Sequence, residues 1–284
     1  MQPDVIEQFG SSLIQHGEYN DRIYVMKLAR KDADALPEAL LDFARAQGYS
    51  KVFAKLPAEA KAAFAKAGYH VEARIPDFFK GEEEAFFMSR FLDADRRESN
   101  SIDANQRVLD ICYSKREALP TLDMPEGAEL EVCDFENAET IATLYSDVFP
   151  TYPFPIDDPD YIRQTMDSHV VYFGIRQEDE LVALSSSEMD PAARNVEMTD
   201  FATRPEHRGD SLATVLLDAM EEEMSRRKMA TAYTIARATS VGMNITFARM
   251  GYAFGGRLVN NTNIGGQLED MNVWYKPLER DGTS

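Results

Sequence analysis

The sequence predicts a mixed α/β protein: a largely antiparallel sheet flanked by helices, built as two similar units in tandem. Three observations carry that expectation. Short apolar runs alternate with segments of helical period along the chain. The second half opens with antiparallel hairpins and passes into a β-α-β-α-β succession. A stretch of the first half also returns in the second. "FAKAGYHVEARI" (Phe64–Ile75) and "FARMGYAFGGRL" (Phe247–Leu258) share Phe, Ala, Gly, Tyr and Arg in register, 183 positions apart. Met88 and Met271 keep that spacing, each in a following apolar strand, and "ALLDFARAQGY" loosely matches "VLLDAMEEEM". Helix, glycine and returning strand form a common arrangement, but five identities in twelve residues favour duplication. A chain of 284 residues suits two domains better than one, and the boundary is placed near Pro125, giving 1–124 and 125–284.

In the first half, "DRIYVMKLA" reads as a strand and "DALPEALLDFARAQGY" as an amphipathic helix with Pro37 in its first turn. "KVFAKL" is a short strand, "PAEAKAAFAKAGY" a helix closing on Gly68, and "HVEARI" and "EAFFMSRFL" are strands. The polar run "DADRRESNSIDANQ" reads as a linker or surface segment, and "RVLDICYSKREA" as helix-like.

The second half begins with strand "AELEVCDF", helix "ENAETIATLYSDVF", a Pro/Asp-rich loop "PTYPFPIDDPD" and helix "YIRQTMDS". Strands "HVVYFGIRQ", "ELVALSSSEMD" and "NVEMTDFAT" follow, joined by the turn segments "QEDE" and "DPAARN". Helix "SLATVLLDAMEEEMSRRK", strand "TAYTIAR", helix "GMNITFARMGY" and strands "AFGGRLVN" and "MNVWYKPL" complete it.

Thirty basic against 49 acidic residues leave a net charge of −19. That argues strongly against a nucleic-acid partner, whose phosphates need a basic footprint, and suits a small cationic substrate or high solubility. No apolar run approaches the ~20 residues that span a bilayer, and the start lacks the charged-then-apolar pattern of a signal peptide. The apolar contexts of Cys112 and Cys133, which taken alone look strand-like, predict reduced core thiols in a cytoplasmic protein. Neither has a partner at metal-ligand spacing, so no metal is expected.

The stretch "TDFATRPEHRGDSLATVLL" carries the chemistry. A strand runs into a basic, Gly-containing turn and at once into a helix. A helix start offers unpaired N–H groups and the positive end of a dipole, which together hold phosphate oxygens. Gly209 permits close backbone approach or positive φ. Arg204, His207 and Arg208 make a local positive patch, and Ser211 and Ala213 are small enough for a ligand to sit against the helix. The turn is neither a P-loop nor a dinucleotide fingerprint.

With a later "FxxxGY" on a helix, this arrangement resembles the GNAT N-acetyltransferase superfamily, whose signature is Arg/Gln-x-x-Gly-x-Gly/Ala. Arg208 and Ala213 match it, whereas Ser211 replaces the central Gly. The resemblance covers roughly residues 129–278 and implies the GNAT fold, with a degenerate GNAT-like unit before it that lacks the turn. It implies acetyl-CoA as co-substrate, its pyrophosphate held by Arg208, Gly209, Asp210, Ser211, Leu212, Ala213 and Thr214. The backbone of Phe201, Ala202 and Thr203 would run beside the pantetheine arm like an added strand. "ARATSVGMNITFARMGY" and "FGGRLVNNTNIGGQLEDMNVWYKPL" are similar to the β-lysine N-acetyltransferase family of bacteria and archaea. That likeness implies acetylation of the β-lysine side-chain amine, giving the compatible solute Nε-acetyl-β-lysine.

Such transfer needs a neutral amine, and a side-chain ammonium has a reference pKa near ~10.4, so a carboxylate must take its proton. Glu197, on the strand before the turn, is the first candidate; Asp200, on the opposite face of a regular strand, and Glu188, on the neighbouring strand, follow. The competing reading of each is a solvated strand carboxylate. Many superfamily members place a tyrosine where this chain has Phe247, which has no proton for the leaving thiolate. Ser240 and Asn244, at the start of the same helix, are candidates to hydrogen-bond the cofactor, and Asn244 reads equally as a helix-surface amide. Asn260, Asn261 and Asn263 offer uncharged donors and acceptors to the acceptor molecule. Tyr152, in the loop "FPTYPFP", offers a hydroxyl or a cation–π face. His16, His70 and His169 have no partners at motif spacing and read as structural or exposed. Acetylation of lysine or a polyamine, and a non-catalytic acyl-CoA sensor, are the alternatives; a homodimer is left open.

Overall fold

A computed structural model gives the fold of residues 4–118, 122–150 and 152–278. The first half runs β1 (Val5–Phe9), β2 (Ser12–Gly17), β3 (Arg22–Lys27), α1 (Leu36–Gln47), β4 (Lys51–Pro57), α2 (Lys61–Lys66), β5 (His70–Phe79) and β6 (Glu83–Phe91). Then come α3 (Ile102–Lys115), β7 (Ala128–Val132), α4 (Ala138–Val148) and α5 (Pro159–Ser168). The second half continues with β8 (Val170–Gln177), β9 (Glu180–Asp190), β10 (Asn195–Thr203) and α6 (Leu212–Arg226). It ends with β11 (Thr231–Arg237), α7 (Val241–Arg249), β12 (Ala253–Ile264) and β13 (Gln267–Pro277).

All strands join one sheet in the order β1-β2-β3-β4-β6-β5-β12-β13-β11-β10-β9-β8-β7. The succession from β1 to β6 is repeated by the succession from β8 to β13, helices included. In each copy only one pair is parallel, β3 with β4 and β10 with β11. The copies meet edge to edge at β5 and β12, where Gly256 stands opposite Ala73, so the two segments that share sequence also touch. Gly256 has φ 146, and a Cβ there would lie 2.2 Å from the Glu72 carbonyl oxygen, so any side chain would force the strands apart.

Each half buries its own helices. Leu36, Leu40, Leu41 and Ala44 of α1 pack on Ile23, Val25, Val52 and Ala54. Leu216, Leu217, Met220 and Met224 of α6 pack with Phe173, Val196, Met198, Phe247 and Trp274. Burial of one such side chain contributes about 1.5–3 kcal/mol. A further cluster joins Tyr24, Phe53 and Phe87 of the first half to Tyr233, Leu258 and Val273 of the second.

Three expectations are corrected. The N-terminal residues form β1 and β2, which the sequence did not announce because β1 is an exposed edge with little apolar alternation. The polar "linker" is ordered: Arg96 is buried and donates from Nε to Asn260 O (3.1 Å) and from Nη2 to Asn20 O (2.8 Å), and α3 already begins at Ile102. Cys112 lies on that helix and not on a strand; it and Cys133 are buried free thiols. Val108, Leu109 and Cys112 insert into the core of the second half. We therefore propose the division at 124/125 as one of connectivity, across which α3 packs. Among the described residues no helix is long and apolar enough to cross a membrane.

Candidate active site

The parallel pair β10–β11 holds together only over Asn195–Glu197 opposite Thr231–Tyr233, and then the strands part. At that point β10 also bulges against β9, between Thr199 and Ala202, with Asp200 in the left-handed region at φ 56. A bulge re-aims the side chains that follow it. Asp200 therefore does not take the face opposite Glu197, as a regular strand would require; both line one cavity of about 1570 Å³. The cavity runs from the start of α6 to strands β2, β3 and β4 of the first half.

At its α6 end the cavity is lined by Phe201, Thr203, Arg208, Gly209, Ser211, Leu212, Ala213 and Thr214. Two residues expected there are not. Ala202 is buried in the cluster beneath α4, and the Asp210 carboxylate stands 3.9 Å from His207 Nδ1 outside the lining. Gly209 has φ 106, and the space a Cβ would take is open. Ser211 has φ 61, so the serine that replaces the superfamily glycine still adopts the left-handed conformation a glycine favours. Arg208 is exposed, its Nε 3.4 Å from Thr203 O. This end fits a pyrophosphate: first-turn N–H groups, an exposed guanidinium and, at Gly209, no side chain in the way. Where β10 and β11 part, the backbone can take an extended pantetheine arm.

From α7, Ser240 and Phe247 line the cavity. Phe247 is edge-on to Phe201, with ring centroids 5.7 Å apart. Asn244 does not line it. Its Nδ2 donates to Arg237 O (2.9 Å) and Ser240 O (2.7 Å), and its Oδ1 accepts from Asn272 Nδ2 and Trp274 Nε1 (2.8 Å each). Every hydrogen bond the amide can make is used inside the fold, so its expected cofactor contact is replaced by a structural role.

The carboxylates differ. Burial pushes Glu197 up to about 7, nearby Glu188 adds to the rise, and Lys55 and a hydrogen bond from Tyr233 oppose it. Lys55 Nζ, on β4, donates to Tyr233 Oη at 3.0 Å, so a side chain of the first half supports the hydroxyl beside Glu197. Asp200 is also raised by burial, but its oxygens accept from Ser186 Oγ, Tyr152 Oη and Thr199 Oγ1 (3.2 Å). It holds Tyr152 against the cavity. Glu188 faces His169 Nε2 at 3.6 Å, and its hydrogen bond raises the imidazole. His169, expected to be structural or exposed, thus also lines the site, and His207 of the basic turn lines it too. His16 bonds Tyr49 and Glu7 (3.0 Å each), and His70 stacks on Phe91.

Of the asparagines, Asn261 lines the cavity. Asn260 and Asn263 do not: their Nδ2 groups donate to Arg96 O and Glu98 O, and to Tyr19 O, clasping β12 to the first half. Sequence reasoning missed Gln15, Arg22, Tyr24, Phe53 and Lys55, which form the opposite wall. The available signal was a charged residue opening an apolar strand, Arg22. Among the described residues no cluster of His, Cys, Asp and Glu could hold a metal ion.

Residues 138–252 match the acetyltransferase (GNAT) family. The chain is 42% identical over 275 residues to a β-lysine N(6)-acetyltransferase of Methanococcus maripaludis, covering 96% of this chain and 99% of that protein. It is 34% identical to the N-acetyltransferase YodP of Bacillus subtilis, covering 94% of this chain and 96% of that protein. It is 33% identical to a β-lysine N(6)-acetyltransferase of Methanosarcina mazei, covering 84% and 96%.

Proposed function

The chain belongs to the acetyltransferase (GNAT) family, and from that premise we propose that it acetylates the side-chain amine of β-lysine with acetyl-CoA. The observation that carries the chemistry is Glu197, half-buried in the cavity wall where β10 and β11 part, its carboxyl pushed up to about 7. A base of that pKa is about half ionised at neutral pH and accepts a proton readily. The acceptor arrives as an ammonium and gives its proton to Glu197. The amine nitrogen then bonds to the acetyl carbon as the carbon–sulfur bond breaks, and the proton it sheds in becoming an amide neutralises the departed thiolate. The thiolate, of ordinary pKa near ~8.5, leaves without a proton from position 247. Arg208, Gly209, Ser211, Leu212 and Ala213 hold the pyrophosphate. Glu188 and Glu197 in one cavity favour a cationic acceptor. The acceptor itself is read from the two relatives named for β-lysine, aligned over nearly their whole length. The product would serve as a compatible solute in the cytoplasm.

Release of free coenzyme A, measured with β-lysine, lysine, ornithine, spermidine and a lysine peptide, tests the reading. Turnover on β-lysine far above the rest is expected. Comparable turnover on spermidine or lysine would discard the assigned acceptor, and acetyl-CoA binding without turnover would make the protein a sensor.

A further inference from the structure

We infer that the first half of the chain, together with Asn261 of β12, holds the acceptor's carboxylate, through a subsite made by Arg22, Gln15 and Asn261 in the cavity wall. The inference rests on the acceptor being an amino acid with a distal amine, as proposed above. Three buried cations stand at the junction of the halves. Lys51 has a counter-ion in Glu72 (3.0 Å), and Arg96 has one in Asp21 (3.1 Å). Arg22 is 5% exposed, yet its Nη1 reaches only neutral acceptors, Asn261 O and Thr262 Oγ1 (3.4 Å). Among the described residues no carboxylate lies within ion-pair distance of it. Asp4 acts on it only from beyond contact distance; a buried guanidinium without an anion in contact is costly, and this one lines the cavity.

The surrounding atoms point the same way. Arg22 Nε, Gln15 Nε2 and Asn261 Oδ1 are all buried without a hydrogen-bond partner, and all three residues line the cavity. Gln15 and Asn261 are each 1% exposed. Two donors and one acceptor are the complement of an amino acid's head: the donors face a carboxylate, the amide oxygen an ammonium. The guanidinium lies over the stacked pair Tyr24 and Phe53, 5.6 and 5.8 Å from their centroids. Tyr24 in turn feels both Arg22 and the charges of Glu197 and Glu188. The anion subsite and the base therefore flank one aromatic wall, along which a methylene chain can lie. The head is held by the first half and Asn261 while the distal amine reaches Glu197.

The test compares kcat/KM for β-lysine and for 1,4-diaminopentane, the same molecule with hydrogen in place of the carboxyl group. The wild-type protein should prefer β-lysine by about 100-fold, the scale of losing one partner of a buried charged pair. Arg22→Gln should narrow that ratio to less than about ten-fold. Because Arg22 also ties β3 to β12, Gln15→Glu serves as a second variant. Its carboxylate should raise KM for β-lysine relative to the diamine. Wild-type protein that uses both amines within about three-fold, or variants that slow both equally, would overturn the subsite alone. Absence of turnover on either amine would overturn both the subsite and the proposed acceptor.

Discussion

After β10 the chain passes through Arg204 to Gly209, and α6 opens into the cavity. After β3 it passes through a tight turn, Arg30–Asp32, whose Asp32 carboxylate faces the β1–β2 turn, and α1 follows from Leu36. Asp32 accepts from Ser11 N and Ser12 Oγ at 2.8 Å each, and the Ser12 hydroxyl holds its pKa below the usual range. That carboxylate ties the turn after β3 to the β1–β2 turn, whereas the corresponding turn of the other half lines the cavity. The parallel pairs differ in the same sense. Counted from the first pair, Tyr24 opposite Phe53 occupies the place that Glu197 opposite Tyr233 occupies in the second copy. The fold supplies a parted strand pair and a helix start; the residues on them decide between catalysis and recognition. One copy has kept the chemistry and the other has become a wall for the acceptor.

The largest effect that would break this comparison is at Glu197. Glu197→Gln should lower kcat by about 10²–10⁴-fold while leaving acetyl-CoA affinity, read by calorimetry, unchanged. The same variant sharpens the electrostatic account. The folded protein raises this carboxyl from the ordinary 4.5 to about 7, so it keeps a proton that the unfolded chain has already lost. Wild-type stability should fall as pH rises from 4.5 to 7, and urea midpoints of the variant should lack that decline.

A smaller effect is expected at the turn. Gly209→Val forces a side chain into φ 106, and a cost of about 1–3 kcal/mol should appear as weaker acetyl-CoA binding with the acceptor KM unchanged. In the first copy, Asp32→Ala should lower the urea midpoint slightly and leave kcat/KM for both substrates as it was. Smallest is Ser211→Gly, which relieves a left-handed serine at φ 61. It should stabilise the protein by up to about 1 kcal/mol, measured by urea titration.

Much of the catalytic copy was legible. The strands at Glu180–Asp190, Asn195–Thr203 and Thr231–Arg237 end where turn residues end them. The anion turn was legible too, since its chemistry is local. Glu197 stood out as a candidate only through the resemblance, since GNAT enzymes often carry their base on the strand before the turn. What stayed hidden depends on contacts far apart in sequence. Lys55 meets Tyr233, and Arg22 meets Asn261, only because β5 docks on β12. Asn244 could not be assigned because a helix amide reads alike whether it faces a ligand or, as here, a buried tryptophan. Asp200 was misplaced because a bulge leaves no mark in the alternation of "NVEMTDFAT".

The most direct test of the account is the pH dependence of kcat/KM for β-lysine acetylation in the wild-type protein and in Glu197→Gln. The wild-type profile should rise with a slope of about one on logarithmic axes and bend near pH 7, and the variant's residual rate should lack that bend. A wild-type profile without a bend near 7, or a bend that survives unchanged in Glu197→Gln, would contradict Glu197 as the base.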